Sequence, residues 1–337
     1  MSRQLTTTTN TTVLPPKNLR LLLSMLTYRR PHGSTAEQLF CDKFIRPTGA
    51  EQDPFGNWHL WLPQPDGSPS PILWSSHTDT VHQSPGKQTV SWNPYGLAYL
   101  HPSSASNCLG ADNTAGVWLM LSMAHRRVPG HYIWHRAEEC GGLGSKWLSG
   151  KGQAYLANAK CAIAFDRRGT GSIITHQMFR TCSDSFAQSL AATIGLGHIP
   201  DPTGIFTDTA NYTDHIGECT NISIGTQHEH QASETLNTTY LLALRNALCK
   251  ANFSNLSYSR QPGDPDDDRG DYWAGWQTCG NSIGNGYGTS WPQLRYKSLD
   301  DLVWQRPTMV ADFLEHQGFT QEELEQWEDS IYNSSKG

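Results

Sequence analysis

The feature that most constrains this chain is an alternation of short apolar runs with amphipathic stretches, each apolar run followed by an acid or a histidine. ILWSS (72–76) leads to His77, Thr78 and Asp79, and YIWHRA (132–137) to Glu138 and Glu139. AIAF (162–165) leads to Asp166, and NISIG (221–225) to His228 and His230. Between the runs, helical patterns are expected over 17–28, from Ser34 with the stripe Leu39, Phe40 and Phe44, and over 113–124, 144–150, 183–194 and 239–249, the last with the stripe Leu241, Leu242, Leu244 and Leu248. Ser34 with Glu37 three residues on forms a capping box, and Ser183 is an N-cap. Further strands are expected over 56–62, 89–92 and 96–100, with 171–175 as a hairpin partner of the 162–165 strand. Strands alternating with helices predict an α/β fold, a three-layer sandwich around a mixed, largely parallel sheet.

The pattern stops near residue 251. Residues 253–296 are rich in Gly, Pro, Asp, Asn and Ser and read as a loop-rich linker, in which the run Asp264–Asp268 lacks the spacing and terminal Glu of a calcium-binding loop. Residues 297–337 read as a C-terminal helical extension: Pro307 at a helix start, Gly318 at its end, then a helix capped by Thr320 and Glu323 that aligns Leu324, Trp327 and Ile331. Residues 1–16 read as a polar, Thr-rich tail without the apolar core of a secretory signal. A catalytic domain is thus expected over 17–252.

Composition narrows the function. The net charge of −6 over 337 residues disfavours a nucleic-acid binder. The best apolar stretch, 19–26, contains Arg20 and is far below the ~20 residues of a membrane span. Eight cysteines with no CxxC, Cys161 and Cys219 among them in apolar surroundings, read as reduced thiols in a cytoplasmic protein.

In open α/β sheets ligands bind beyond the carboxyl ends of the strands. Asp112, at the mouth of the 113–124 helix, joins the acids and histidines expected there. Three carboxylates at one mouth repel each other unless cations intervene. Two divalent ions and one hydroxide balance Asp112, Glu139 and Asp166, and imidazole and carboxylate are ordinary zinc ligands. In the His-x-Asp of His77 and Asp79, residues i and i+2 share a face, so Asp79 can orient the imidazole.

HTDTV (77–81), LGADNTAG (109–116), EECGGLGS (138–145), AFD (164–166) and the H-x-x-x-E of His230 and Glu234 resemble, in order and approximate spacing, the motifs of the co-catalytic di-zinc exopeptidases. That clan includes aminopeptidases, tripeptidases, glutamate-type carboxypeptidases and some N-deacylases. The resemblance implies two Zn²⁺, with Co²⁺ or Mn²⁺ as alternatives. His77 and Asp166 would complete one metal, Glu139 and His230 the other, and Asp112 would bridge. Glu138 would be the general base, Asp79 the orienter of His77, and metal-activated water the nucleophile. His228 is the alternative to His230. Asn113 stands where many relatives carry a second Asp. The 35-residue interval from His77 to Asp112 and the 64-residue interval from Asp166 to His230 leave no room for an inserted lid or dimerisation domain, so the resemblance is to a minimal form.

Around this set, Asp208 beside Thr207 is a candidate substrate contact, as are His176 and Arg180, which would capture a substrate carboxylate. Cys140 is expected to pack. The expected activity is hydrolysis of a terminal amide bond of a small peptide, foremost as an aminopeptidase. The alternatives are a tripeptidase, carboxypeptidase or N-deacylase acting on acylated amino acids, and a non-catalytic metal- or peptide-binding scaffold. The expected partners are a small peptide substrate and a protein contacted through the C-terminal helices, without nucleic acid or membrane.

Overall fold

A computed structural model describes residues 15–264 together with Val310 and Leu314. Its strands are β1 (Tyr28–Arg29), β2 (Glu51–Gln52), β3 (Trp58–Leu62), β4 (Ile72–His77), β5 (Gly86–Lys87), β6 (Val90–Trp92), β7 (Leu97–Leu100), β8 (Gly130–His135), β9 (Cys161–Arg167), β10 (Ser172–Ile174), β11 (Ile199–Asp201), β12 (Glu218–Ser223), β13 (Thr226–Gln227) and β14 (Thr235–Asn237). Its helices are α1 (Arg20–Met25), α2 (Thr35–Phe44), α3 (Ala111–His125), α4 (Leu143–Gly150), α5 (Asp184–Ile194) and α6 (Thr238–Leu248).

Eight strands form one sheet in the order β11-β10-β12-β9-β4-β8-β3-β2. The central four, β12, β9, β4 and β8, run parallel. Strands β3 and β10 join this block antiparallel. The sheet is thus mixed and largely parallel, as the strand–helix alternation predicts. Strands β6, β7, β14 and β13 form a separate antiparallel sheet.

The central strands are buried on both faces, and alternate side chains serve two cores. Ile72 and Trp74, Tyr132 and Trp134, and Cys161, Ile163 and Phe165 enter the larger core, with α1, α2, α3, α5 and α6. Leu73, Ile133 and Ala162, the residues between them, enter the smaller core with Leu148, Tyr212 and Ile216. Helix α3 is buried almost all round. Gly116 lets it approach the sheet, because a Cβ there would lie 2.3 Å from the Phe165 carbonyl oxygen.

Several local expectations change. The 17–28 segment is a 3-10 turn (Lys17–Leu19), the short α1 and then β1. Leu39 is 56% exposed, and Phe40 and Cys41 fill the core in its place. In the Ser34 capping box Glu37 reaches Gly33 N rather than the cap residue's own amide. The 171–175 segment is not the hairpin partner of β9: both edges of β9 are taken by the parallel β4 and β12, so β10 pairs with β12 instead. Residues 253–264 fold back onto the body. Leu256 is buried, Phe253 packs edge-on against Trp74, and the Glu218 carboxylate accepts the Ser259 and Arg260 amides. Apart from Val310 and Leu314, the expected C-terminal helices lie outside the described residues, as do most of the linker and tail. No described helix is long and apolar enough to cross a membrane.

Candidate metal centre

The four parallel strands deliver their chemistry at one end. Strand β4 terminates in His77, and β8 runs through His135 into the turn of Glu138 and Glu139. Asp166 lies near the end of β9, and the chain beyond β12 and β13 reaches His230. Asp112 sits at the start of α3, where it and Asn113 depart from helical geometry behind Gly110. These groups belong to different elements and meet only through the sheet order.

His77 Nδ1 lies 3.1 Å from the Asp79 carbonyl oxygen and 3.5 Å from the Asp79 carboxylate. A carbonyl can only accept, so Nδ1 donates, and Nε2 faces the acids either with a second proton or with its lone pair. Asp112 Oδ1 lies 3.0 Å from His77 Nε2, and Asp166 Oδ1 lies 3.4 Å from the same nitrogen. On the other side, His230 Nε2 lies 3.3 Å from Asp112 Oδ2 and 3.3 Å from Glu139 Oε2. Two triads therefore share Asp112: His77, Asp112, Asp166 and His230, Asp112, Glu139. Ligand atoms ~2.1 Å from a tetrahedral zinc lie about 3.4 Å from one another, so the donor set and its spacing suit two such ions. Donor atoms of His77, Asp112 and Glu139 also converge within 4.8 Å of one another. Glu139 Oε1 is buried and makes no hydrogen bond, as an oxygen awaiting a cation would.

Supporting bonds hold the acids in place. The Asp79 carboxylate accepts the amides of Glu138 (3.1 Å) and Glu139 (3.2 Å), which fixes that turn. Asp166 is held by Thr207 Oγ1, which donates at 2.8 Å, by the Asn113 side-chain amide, and through its own N–H by Asn221 Oδ1 at 2.9 Å. In the sequence Thr207 stands out only as the neighbour of Asp208, and neither Asn113 nor Asn221 carries a signal as a support. Their roles follow from the adjacency of β9 and β12 and from the α3 turn.

The electrostatics show groups forced together. Burial raises Asp166 to about 7, aided by the Asp112 charge, and raises Glu138 well above the usual carboxylate range, aided by Asp166 and Glu139. Burial alone would lower both imidazoles. The surrounding carboxylates outweigh it, holding His77 well above its ordinary value and His230 at about 12. Asp112, between two histidines, stays well below its ordinary value despite burial.

The remaining candidates belong to neither triad, although Asp208 lies near enough to feel the charges of His77 and Asp166. His228 is exposed, whereas His230 is buried. Asp208 is buried with its Oδ2 3.3 Å from His135 Nδ1, and burial raises it to about 8. Arg180 Nη1 lies 3.3 Å from Asp184 Oδ1, and His176 Nδ1 lies 2.9 Å from Thr175 Oγ1. Cys140 is exposed rather than packed, because it occupies the outside of the Glu139 turn. A cavity of about 20 Å³, enough for one water-sized group, adjoins Asp166 and is lined by Ile174, Gln177, Phe206 and Glu229. A larger one, about 350 Å³, lies at the opposite end of β8 beside Trp61, His131 and Tyr155, away from these acids.

No protein-family model and no curated protein matches the chain. Solved structures do. Aminopeptidase PepT from Bacillus cereus aligns at 15% identity and a TM-score of 0.57 over 69% of this chain and 96% of its own. A tripeptidase from Staphylococcus aureus aligns at 15% identity and 0.56 over the same shares. A TET aminopeptidase from a marine sediment archaeon, Thaumarchaeota, aligns at 11% identity and 0.52, again over 69% and 96%. This chain has the α/β fold of these exopeptidase structures, the fold that its ordered motifs imply.

Proposed function

We propose that this chain is a di-metal exopeptidase that hydrolyses a terminal amide bond of small peptides, in the first place as an aminopeptidase. The observation that carries the reading is Asp112, whose two oxygens each face a different histidine, each histidine having its own second carboxylate at 3.3–3.4 Å. His77, Asp112 and Asp166 would hold one ion, and His230, Asp112 and Glu139 the other. Zinc suits this mixed imidazole and carboxylate set, and cobalt or manganese would also be accepted. Bound there, the ions would supply Lewis-acid polarisation of the scissile carbonyl and acidify a water.

The protein's own groups do the rest. Glu138 Oε2, 4.0 Å from His77 Nε2, takes the proton of the attacking water and returns it to the leaving amine nitrogen. Burial and the neighbouring acids raise its affinity for a proton, the direction that a proton-accepting group requires. Asp79 holds the Glu138 turn, so the base keeps its distance from the ligands. Arg180 is engaged by Asp184 and the Cys182 carbonyl, which favours a structural use over capture of a substrate carboxylate and so supports the aminopeptidase over the carboxypeptidase branch. The seven described cysteines are free thiols, which supports a cytoplasmic setting.

The test is metal content per chain on the preparation that is assayed against free-amine and N-blocked dipeptides. Two metals with cleavage of free-amine substrates alone supports the aminopeptidase. Two metals with cleavage of blocked substrates moves the activity to the carboxypeptidase or deacylase branch. A chain that retains no metal in zinc-supplemented, chelator-free buffer is the scaffold instead.

A further inference from the structure

Asp112 and His230 arrive at the centre from segments more than a hundred residues apart, and His230 comes from constrained backbone. His230 has φ +66° and His228 φ +56°, the left-handed region that residues with a Cβ seldom occupy. Such conformations persist only where the surroundings over-determine them. Glu234 lies four residues beyond His230, immediately before β14, which is anchored by pairing with β7. Its side chain is fully buried. Gly110 N donates to Glu234 Oε2 at 2.7 Å, and Asp112 N donates to Glu234 Oε1 at 3.0 Å. Glu234 N in turn donates to the Gln231 carbonyl at 3.0 Å and closes the loop that carries His230.

From this geometry we infer that Glu234 is a positioning residue: its carboxylate clamps the Asp112 turn to the His230 loop, so that Asp112 presents one oxygen to each histidine. The inference rests on the di-metal reading of the site. It assigns the Glu of H-x-x-x-E neither to a metal nor to the substrate. Both carboxylate oxygens are consumed by backbone N–H groups, and the acid acts through Asp112 and His230. The chemistry requires two acceptors at one place. Glutamine keeps the shape but offers one acceptor, and its amide N–H₂ would face an N–H donor.

The experiment compares wild type with Glu234→Gln on the full chain. Zinc affinity is measured by competition with a chromophoric chelator, the melting temperature is taken metal-free, and kcat and KM are taken at limiting and saturating zinc. The expected result is zinc affinity weakened about 10–100-fold, the range for residues that orient ligands. KM stays unchanged, and kcat is restored by excess zinc. Wild-type zinc affinity in a variant whose metal-free melting temperature alone has fallen would overturn the proposal and leave a structural acid. If Glu234→Gln does not fold, Glu234→Asp, which keeps both acceptors on a shorter arm, carries the same measurement. Weakened zinc binding there supports the clamp, and unchanged binding refutes it. A wild-type chain that binds no zinc overturns the di-metal reading and the clamp with it, whereas two zinc ions in wild type and undiminished affinity in the variant overturn the clamp alone.

Discussion

Asp112 divides its carboxylate between two histidines, Oδ1 lying 3.0 Å from His77 Nε2 and Oδ2 3.3 Å from His230 Nε2. Asparagine at this position keeps the size but replaces one oxygen with N–H₂, which cannot ligate a cation. On the proposed di-metal reading, Asp112→Asn is expected to lower bound zinc from two per chain to one or none. Turnover should fall by more than about 100-fold, beyond the range for supporting residues. Elemental analysis on the assayed sample checks both, and two retained ions with near-normal turnover would remove the bridge.

Glu138 belongs to neither triad: its Oε2 lies 4.0 Å from His77 Nε2, beyond the Asp112 and Asp166 oxygens at 3.0 and 3.4 Å. Glu138→Gln should therefore keep its zinc and lose at least about 100-fold in kcat, the usual contribution of a placed general base. A variant with full activity would sink the assignment.

Asp79 accepts two backbone amides at once, so Asp79→Asn leaves one N–H of the Glu138–Glu139 turn unsatisfied. The expected cost is about 1–3 kcal/mol of stability. Metal affinity should also fall, because the turn that carries Glu139 loosens. Denaturant unfolding of the metal-free variant, with a zinc titration beside it, separates the two effects.

A Cβ at Gly116 would stand 1.9 Å from Asn113 Oδ1 and 2.3 Å from the Phe165 carbonyl oxygen. Gly116→Ala must push the start of α3 off β9, at a cost of about 1–3 kcal/mol for the overpacking. Because Asn113 also grips Asp166, zinc affinity should drop together with the melting temperature. A variant as stable as wild type would show that this approach is looser than it looks.

The metal-free protein should lose stability as pH rises from about 6.5 to 8.5. Burial and neighbouring acids raise Asp166 to about 7 and Asp208 to about 8, against ~3.9 unfolded, so the folded chain holds these protons more tightly. Raising the pH through those values strips protons that favour the fold. His77 and His230 are also raised, and their contribution, full below ~6.5, declines in the same direction. The buried neutral His82 and His135, lowered to about 4 and about 3, oppose this only below ~6.5. Zinc competes for the same sites, so its stabilisation should be greater at pH 8.5 than at 6.5. A metal-free melting temperature that rises across this window would contradict the sign.

The apolar runs of 72–76 and 162–165 fall in β4 and β9 within a residue or two, because a strand buried on both faces has few polar positions. The caps at Ser34 and Ser183 form where expected, since capping is a local bond. The 171–175 strand pairs with β12 rather than β9, and Leu39 faces solvent rather than the core, because strand partners and helix facing depend on elements far away in sequence.

Sequence alone thus determined which residue types stand at the ends of the apolar strands, and in what order. Those facts are local, set by periodicity and by the acids and histidines that follow each run. The tertiary structure decided that Asp112 lies between His77 and His230, that the Asp79 carboxylate is spent on the Glu138 turn, and that Thr207 and Asn221 hold Asp166. These contacts join residues 35 to 118 positions apart, 230 minus 112 being the longest. Such pairs meet only once the order β12-β9-β4-β8 brings the strand ends together, and no local propensity encodes that order.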